Sequence, residues 1–555
     1  MSRIDRHAVR RFFTLASLFF TSEVKWKAWG LVALLLGLSL AVNSLGAGMS
    51  YIGRDFMTAL TLKNSDQFFK EMIYYLLAFA AATPVVVAYS YTEARLSLMW
   101  RRWLSHHILR RYFHNRAYYR LNLTGDIDNP DQRLEEDTRS FCAQSLTFSL
   151  ILFNSCVQLF LYVSILWSIS WLLPVTALAY ATIGSLATYF LGRPLIPLNF
   201  SQLKKEADYR YKLVNIRDSA EAIALYHDEE KEFTRTRQRL KSALKNLLNV
   251  VNWNRNLQFF TTGYNYMLTV LPTVLVAPLY FDGRLEFGSV IQAGVAFGIT
   301  INALSIVVNH FGNISVFAAV INRLGSFWEA LNRAEEPFVT GPKITIEQGD
   351  HLEFRHVTIM TPRHEQVLIK DLSFSFKERS LLLCGPSGSG KSSILRVVAG
   401  LWDAGRGSVI KPNLSNALFL PQRPYAVLGS LRAQLLYGIR RAGFLDRELE
   451  EVLEILKLTD MLERVGGLNA VLDWPNILGT GEQQRLAFAR VLLAKPDLVF
   501  LDEATTAIDR SMEQSLYTIL PQYVKSYVST GNPSTLTPFH EHVLTLESGG
   551  TWSYS

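Results

Sequence analysis

The stretch Leu381–Leu401, "LLLCGPSGSGKSSILRVVAGL", decides the fold of the second half of this chain. An apolar run ends at Cys384, Gly385–Ser393 fits the pattern GxxxxGK[ST], and helical spacing of apolar residues begins at Ile394. In that context backbone N–H groups wrap phosphates at a helix N-terminus, Lys391 neutralises their charge and the Ser392 hydroxyl can ligate Mg²⁺. Gly385, Pro386, Ser387, Gly388, Ser389, Gly390, Lys391, Ser392 and Ser393 are therefore the expected ATP-binding loop. "HLEFRHVTI", "KDLSFSF", "SLLLCG" and "LVFLD" read as strands, which predicts an α/β unit with a partly parallel sheet.

Downstream, "LVFLDE" places Asp502 at the carboxyl end of an apolar strand, where it can hold hydrated Mg²⁺, with Glu503 beside it as base or water-positioning group. Between the two elements, "FLPQRPY" offers Gln422, whose neutral side chain can reach both Mg²⁺ and the attacking water. Ser392, Gln422 and Asp502 form the expected metal set.

The first half has a different texture. The chain has 555 residues, 49% of them hydrophobic, too long for one ordinary domain and too apolar for an ordinary soluble enzyme. About six stretches reach the length needed to cross a bilayer as helices: Trp29–Ser50, Met72–Tyr91, Leu146–Ser168, Trp171–Gly192, Phe259–Tyr280 and Phe287–Val308. The net charge of +8 gathers between the second and third stretches (Arg95 to Arg120) and between the fourth and fifth (Lys204 to Arg239). The other connections are poor in Lys and Arg, so the basic ones are expected to be cytoplasmic and the charge orients a membrane protein. No nucleic acid partner is expected. Cys142, Cys156 and Cys384 lack metal-ligand spacing and read as small buried apolar residues.

Residues 1–28 are expected to form a cytoplasmic amphipathic segment, with Phe12, Leu15, Leu18 and Phe19 at helical spacing, rather than a cleaved signal. Residues 29–331 form the membrane domain, 332–345 a linker marked by Pro337, Gly341 and Pro342, and 346–555 the nucleotide-binding domain. Asn43, Gln158, Asn265, Gln292, Asn302 and Asn309 put polar groups into apolar surroundings, to line a cavity or to bond neighbouring helices.

The order of the P-loop, "PQRPY", "LGTGEQQR", "LVFLDE" and "ATTAID" resembles the nucleotide-binding domain of ABC transporters. With "IDNPDQRLEEDTRSF" and "SAEAIALYHDEEKE", the chain is similar to the subfamily D half-transporters of peroxisomes and lysosomes and to their bacterial BacA-like and cobalamin-transporting relatives. The resemblance implies an α-helical six-span membrane domain, type IV exporter-like, fused to an α/β P-loop nucleotide-binding domain. It implies a second copy of the chain as partner, membrane lipid around it, and an amphipathic cargo: cobalamin, a fatty acid or acyl-CoA, or a peptide. ATP and Mg²⁺ are the implied cofactors and a bacterial inner membrane the implied location. Gly479, Thr480, Gly481 and Glu482 occupy the family's LSGGQ element, expected to open a helix toward the partner's γ-phosphate, and Asp509 closes the set.

Three positions depart from the family pattern. Gly479 stands where a serine would meet the γ-phosphate, Asn532 where a catalytic histidine is expected, and no aromatic ring for adenine occurs near Met360 and Thr361. His540 and His542, beyond Pro538, are the alternative histidines. The reading is ATP-driven transport by a dimer; its rival is an ATP-gated receptor or channel that does not pump.

Overall fold

The computed structural model describes residues 6–125, 127–306, 310–335, 342–362, 366–377, 379–441 and 443–555. They divide into two compact units, Met1–Tyr118 with Asp126–Glu335, and Tyr119–Gly125 with Glu336–Ser555.

Six helices among the described residues are long and apolar enough to cross a membrane, all in the first unit apart from the last residues of the second helix: Lys25–Thr61, Ser65–Leu123, Pro130–Ile169, Leu172–Asp218, Glu229–Phe281 and Phe287–Leu304. The first, second, third and fifth expected stretches fall inside these helices, and the fourth does so but for Trp171, which caps its helix; the last helix stops at Leu304, and Val308 and Asn309 lie outside the described residues. The basic connections, expected as loops, are largely helix, because the spans continue into Ser65–Phe113, Leu195–Asp218 and Glu229–Phe281. Arg, Lys, Glu and Leu favour helix whether or not they are apolar, so a hydropathy criterion sees only the middle of each rod. The 53 residues of Glu229–Phe281 make a rod about 80 Å long against a hydrocarbon core of about 30 Å. Pro272 and Pro278 interrupt its hydrogen bonding near one end.

Small residues set the close approaches between these helices. Gly288 donates its N–H to Thr58 Oγ1 at 3.2 Å, and a Cβ there would lie 1.9 Å from the Arg54 carbonyl oxygen. Gly184 leaves room for the Tyr264 ring, which stacks on Tyr180 at 4.3 Å while each hydroxyl donates to the other residue's carbonyl. Among the expected cavity residues, Asn43 binds helices together instead: its amide donates to Asn154 Oδ1 at 2.9 Å, Ser39 donates to the same oxygen, and Asn154 donates to Tyr89 at 3.1 Å. Gln292 is buried with its amide nitrogen unpartnered, whereas Asn265 and Asn302 are exposed.

The helix Arg6–Phe20 forms as expected, but protein covers its apolar stripe. Phe19 stacks on Trp100 at 5.5 Å, Leu15 is buried, and Arg11 holds Glu329 through two hydrogen bonds of 2.9 and 2.8 Å. The "NPDQR" turn is a latch within the same unit. Asn129 adopts the left-handed conformation before Pro130, and the buried Arg133 donates to the Arg323 carbonyl at 3.0 Å and to Ser326 Oγ at 2.9 Å. Arg133 also pairs with the Asp128 carboxylate, and Asp137, also buried, accepts from Arg323 Nε at 2.9 Å, so both buried charges are paired. Cys142 and Cys384 are buried as expected, but Cys156 is exposed on a membrane helix, where an apolar surrounding other than protein suits a thiol equally well. The expected linker begins later than predicted, because the helix Phe311–Glu335 runs through Asn332–Glu335; residues 336–341 lie outside the described residues.

In the second unit, ten strands are found among the described residues. They are β1 (Thr345–Gln348), β2 (Leu352–Met360), β3 (Val367–Phe376), β4 (Ser380–Cys384), β5 (Gly405–Lys411), β6 (Ala417–Leu420), β7 (Leu498–Asp502), β8 (Ser526–Thr530), β9 (His542–Leu546) and β10 (Trp552–Tyr554). One sheet has the order β1-β5-β2-β3 and the other β10-β9-β4-β8-β7-β6. In the larger sheet β9, β4, β8, β7 and β6 are parallel, with only β10 antiparallel. Helices on both faces bury its central strands, which is why "LLLC" and "LVFL" are continuous apolar runs. Because ligands bind beyond the carboxyl ends of parallel strands, the order β4-β8-β7-β6 brings four distant loops to one edge.

This topology decides the histidine question. Leu381 at the start of β4 pairs with His542 in β9, so His540 and His542 sit at the amino edge, opposite the P-loop. His540 is packed against Tyr517 and Tyr527, donates Nδ1–H to the Leu536 carbonyl at 2.8 Å and leaves Nε2 buried without a partner. Burial pushes its imidazole down to about 4, so the unfolded chain takes up a proton before the folded one does. Stability is therefore complete above the ordinary value near 6.5 and is lost as pH falls from there toward 4. Thermal or denaturant unfolding of the purified protein should show about 2 kcal/mol less stability at pH 5 than at pH 7, a difference that His540→Gln reduces. An unchanged pH dependence in His540→Gln would contradict the buried neutral imidazole.

Candidate functional site

The P-loop takes its shape from glycine. Gly385, Gly388 and Gly390 have φ of +140°, +81° and +102°, and a Cβ on Gly385 would lie 2.3 Å from the Leu546 carbonyl oxygen. Helix Lys391–Val398 starts directly after Gly390, so its free N–H groups face the loop. Lys391 is 9% exposed, and its ammonium donates to the carbonyls of Gly385 at 2.8 Å and Pro386 at 3.0 Å. Ser389 Oγ is buried without a hydrogen-bond partner among the described residues. An unpaired hydroxyl, a lysine and a helix N-terminus fit a polyphosphate.

Four sequence-distant segments meet beside this loop. Ser392 Oγ donates to Asp502 Oδ1 at 2.9 Å, across β4 to β7. Glu503 follows in the left-handed conformation, φ +47°, with Oε1 3.9 Å from Lys391 Nζ. Gln422, just past β6, donates Nε2–H to Glu503 Oε2 at 2.8 Å. Thr530, the last residue of β8, donates to Asp502 Oδ1 at 3.0 Å and accepts the Glu503 N–H at 2.8 Å. Ser392, Gln422 and Asp502 supply a hydroxyl, an amide and a carboxylate, a hard oxygen set of the kind Mg²⁺ takes when phosphates complete its shell.

The remaining expected residues do not join that cluster within the chain. Gly479 is exposed at the start of helix Thr480–Ala494, where its N–H donates to Glu482 Oε2 at 3.0 Å; Glu482 also receives Arg464 Nη2 at 2.9 Å. Among the described residues no hydrogen bond joins Gly479, Thr480, Gly481 or Glu482 to Gly385–Ser393. Asn532 lies past β8, on the same sheet edge as Asp502, but its amide oxygen caps its own short helix by accepting from Ser534 N at 3.1 Å and Ser534 Oγ at 2.9 Å. Asp509 caps Arg510–Tyr523 through the Met512 N–H at 2.9 Å; the Ser511 hydroxyl and that N–H hold its carboxyl below the usual range. Met360 ends β2, and residues 363–365 beyond it lie outside the described residues.

Two functional residues escaped the sequence reading. One is Thr530. The other is Gln484, the second glutamine of "GEQQR", which is buried; its amide donates to the Gln422 carbonyl and to Thr506 Oγ1, both at 3.3 Å, and accepts from Ala507 N at 2.9 Å. It ties the Thr480–Ala494 helix to the Gln422 and Glu503 loops, and no sequence signal separates it from Gln483.

A helical unit made to cross a membrane, joined to an α/β unit with this phosphate edge, defines a membrane transporter powered by ATP. Residues 15–281 match the family described as ABC transporter transmembrane region 2, and residues 369–506 match the family described as ABC transporter. The chain is 40% identical to an uncharacterized ABC transporter ATP-binding protein of Synechocystis sp., over 96% of this chain and 82% of that one. It is 38% identical to ABC transporter D family member 2, chloroplastic, of Arabidopsis thaliana, over 97% and 86% of the two chains. With the lysosomal cobalamin transporter ABCD4 of Mus musculus it shares 30% identity over 99% and 96%. The chain belongs to the ABC transporter family and is a multi-pass membrane half-transporter whose relatives include the D subfamily, coupling ATP hydrolysis to transport.

Gly481 makes the closest packing demand in the LGTGE element. A Cβ there would lie 2.7 Å from the Ala507 backbone oxygen, which the Gln484 bridge holds in place. Gly481→Ala should displace the helix start from the Glu503 loop and lower phosphate release about ten-fold or more. Wild-type phosphate release from the purified variant in lipid would show that this contact is not needed.

Proposed function

We propose that two copies of this chain form a homodimer in which each LGTGE element closes over ATP held by the other copy's P-loop. The observation that carries the reading is the continuous edge Lys391, Ser392, Asp502, Glu503 and Gln422, joined by hydrogen bonds of 2.9 and 2.8 Å, with Gly479 and Thr480 exposed and outside it. Lys391 and the loop N–H groups bind the phosphates, and Glu503 orients the attacking water with Gln422 holding its carboxylate. Ser392, Gln422 and Asp502 hold Mg²⁺, which when bound neutralises phosphate charge. Asn532 supplies an amide donor toward the γ-phosphate, without the proton exchange that a histidine offers. Binding closes the pair, and hydrolysis reopens it, which switches the cargo path between the two sides of the membrane.

The cargo in this reading is amphipathic: cobalamin, a fatty acid or acyl-CoA, or a peptide. The polar side of that chemistry is supported by Gln292, and the apolar side by a groove of about 420 Å³ along the first and second membrane helices, lined by Ala41, Ser44, Leu45, Gly48, Met49, Ile52 and Ala78. The mouse relative's name specifies cobalamin for that protein. The basic helical extensions support a cytoplasmic side for those ends of the membrane unit, in what we take to be a bacterial inner membrane.

Cargo accumulation against a gradient in proteoliposomes should disappear in both Lys391→Ala and Glu503→Gln while each protein still inserts. Flux down a gradient that persists in Glu503→Gln would favour an ATP-gated path over a pump. A Cβ on Gly479 meets no atom closer than Glu482 Oε2 at 3.9 Å, so Gly479→Ser adds its Cβ without a clash. Combined with Asn532→His it should raise basal phosphate release roughly ten-fold. Equal or slower release from the double variant would show that neither departure limits the rate.

A further inference from the structure

We propose that Thr530 is a positioning residue for ATP hydrolysis, whose single hydroxyl fixes Asp502 and Glu503. The inference rests on the assignment of Glu503 given above. Thr530 is 2% exposed, and the register of β7 with β8 places it directly opposite Asp502. A hydroxyl carries one proton and two lone pairs. Here the proton goes to Asp502 Oδ1 at 3.0 Å and a lone pair receives the Glu503 N–H at 2.8 Å. Asp502 Oδ1 thus accepts from two hydroxyls, those of Ser392 and Thr530.

Glu503 needs such a tie. Its φ of +47° lies in a region that side-chain-bearing residues avoid, and the surrounding structure has to impose it. The peptide N–H that leads into this conformation ends on Thr530 Oγ1. The same conformation directs the carboxylate, which meets Gln422 Nε2 at 2.8 Å and stands 3.9 Å from Lys391 Nζ. Removing the hydroxyl while keeping the volume leaves the Glu503 N–H without its acceptor and frees one side of Asp502.

Thr530→Val and Thr530→Ser of the full-length protein in lipid, with Glu503→Gln alongside, test this. The valine variant should lose about ten-fold or more in kcat while its KM for MgATP stays within about threefold of wild type, and serine should restore kcat to within about threefold. ATP binding by the valine variant should persist, because Lys391 and the loop are untouched. A kcat within about twofold of wild type in Thr530→Val would overturn the proposal, as would a loss carried entirely by KM or one that serine fails to rescue. If the valine variant does not fold, Thr530→Ala is read against Thr530→Ser by the same criteria. Wild-type hydrolysis in Glu503→Gln would overturn the assignment of Glu503 itself, whereas an inactive Glu503→Gln beside a fully active Thr530→Val would overturn only the role of Thr530.

Discussion

The buried ammonium of Lys391 is the constraint around which the phosphate edge is arranged. A cation removed from water needs polar partners, and it finds them in the carbonyls of Gly385 and Pro386 and in the nearby carboxylate of Glu503. Those carbonyls can turn inward only because Gly385, Gly388 and Gly390 adopt positive φ. The carboxylate stands there only because the chain leaves β7 through a left-handed residue. The glycines, the strained glutamate and the lysine are thus one arrangement, in which the charge of the lysine is satisfied locally and remains available to an incoming anion.

Much of this was legible in sequence because it is local. The P-loop carries its own strand, glycines and helix in consecutive residues, and "LVFLDE" carries its own strand and acids. What escaped depends on which strands are neighbours. Thr530 acquires its role from in-register pairing with Asp502, and Gln484 from a helix packing onto two loops, neither of which is encoded in spacing along the chain. The exposed, charged β1 and the glycine-containing β5 gave no apolar run and become strands through pairing with one another. That His540 is buried and not at the phosphate edge depends on Tyr517 and Tyr527, which close around it from distant parts of the chain.

In the membrane unit the apolar stretches were legible and the polar residues were not. Asn43 is a helix-to-helix bond because Asn154 faces it, and Arg133 is buried because Arg323, Ser326 and Asp128 share its donors. A polar atom inside an apolar environment that finds a partner fixes the register of two helices; one that finds none, such as the Gln292 amide, is left to meet something else.

The continuous helix Glu229–Phe281 has a mechanical consequence. A rod about 80 Å long behaves as a lever: turning it by about 5° about one end sweeps the other through about 7 Å, further than one helical turn advances. Pro272 and Pro278 remove backbone hydrogen bonds near the carboxyl end, so compliance is concentrated there and the remainder stays stiff. The Tyr180–Tyr264 stack then grips the lever a short distance from its compliant end, where the smallest travel at the grip gives the largest excursion at Glu229.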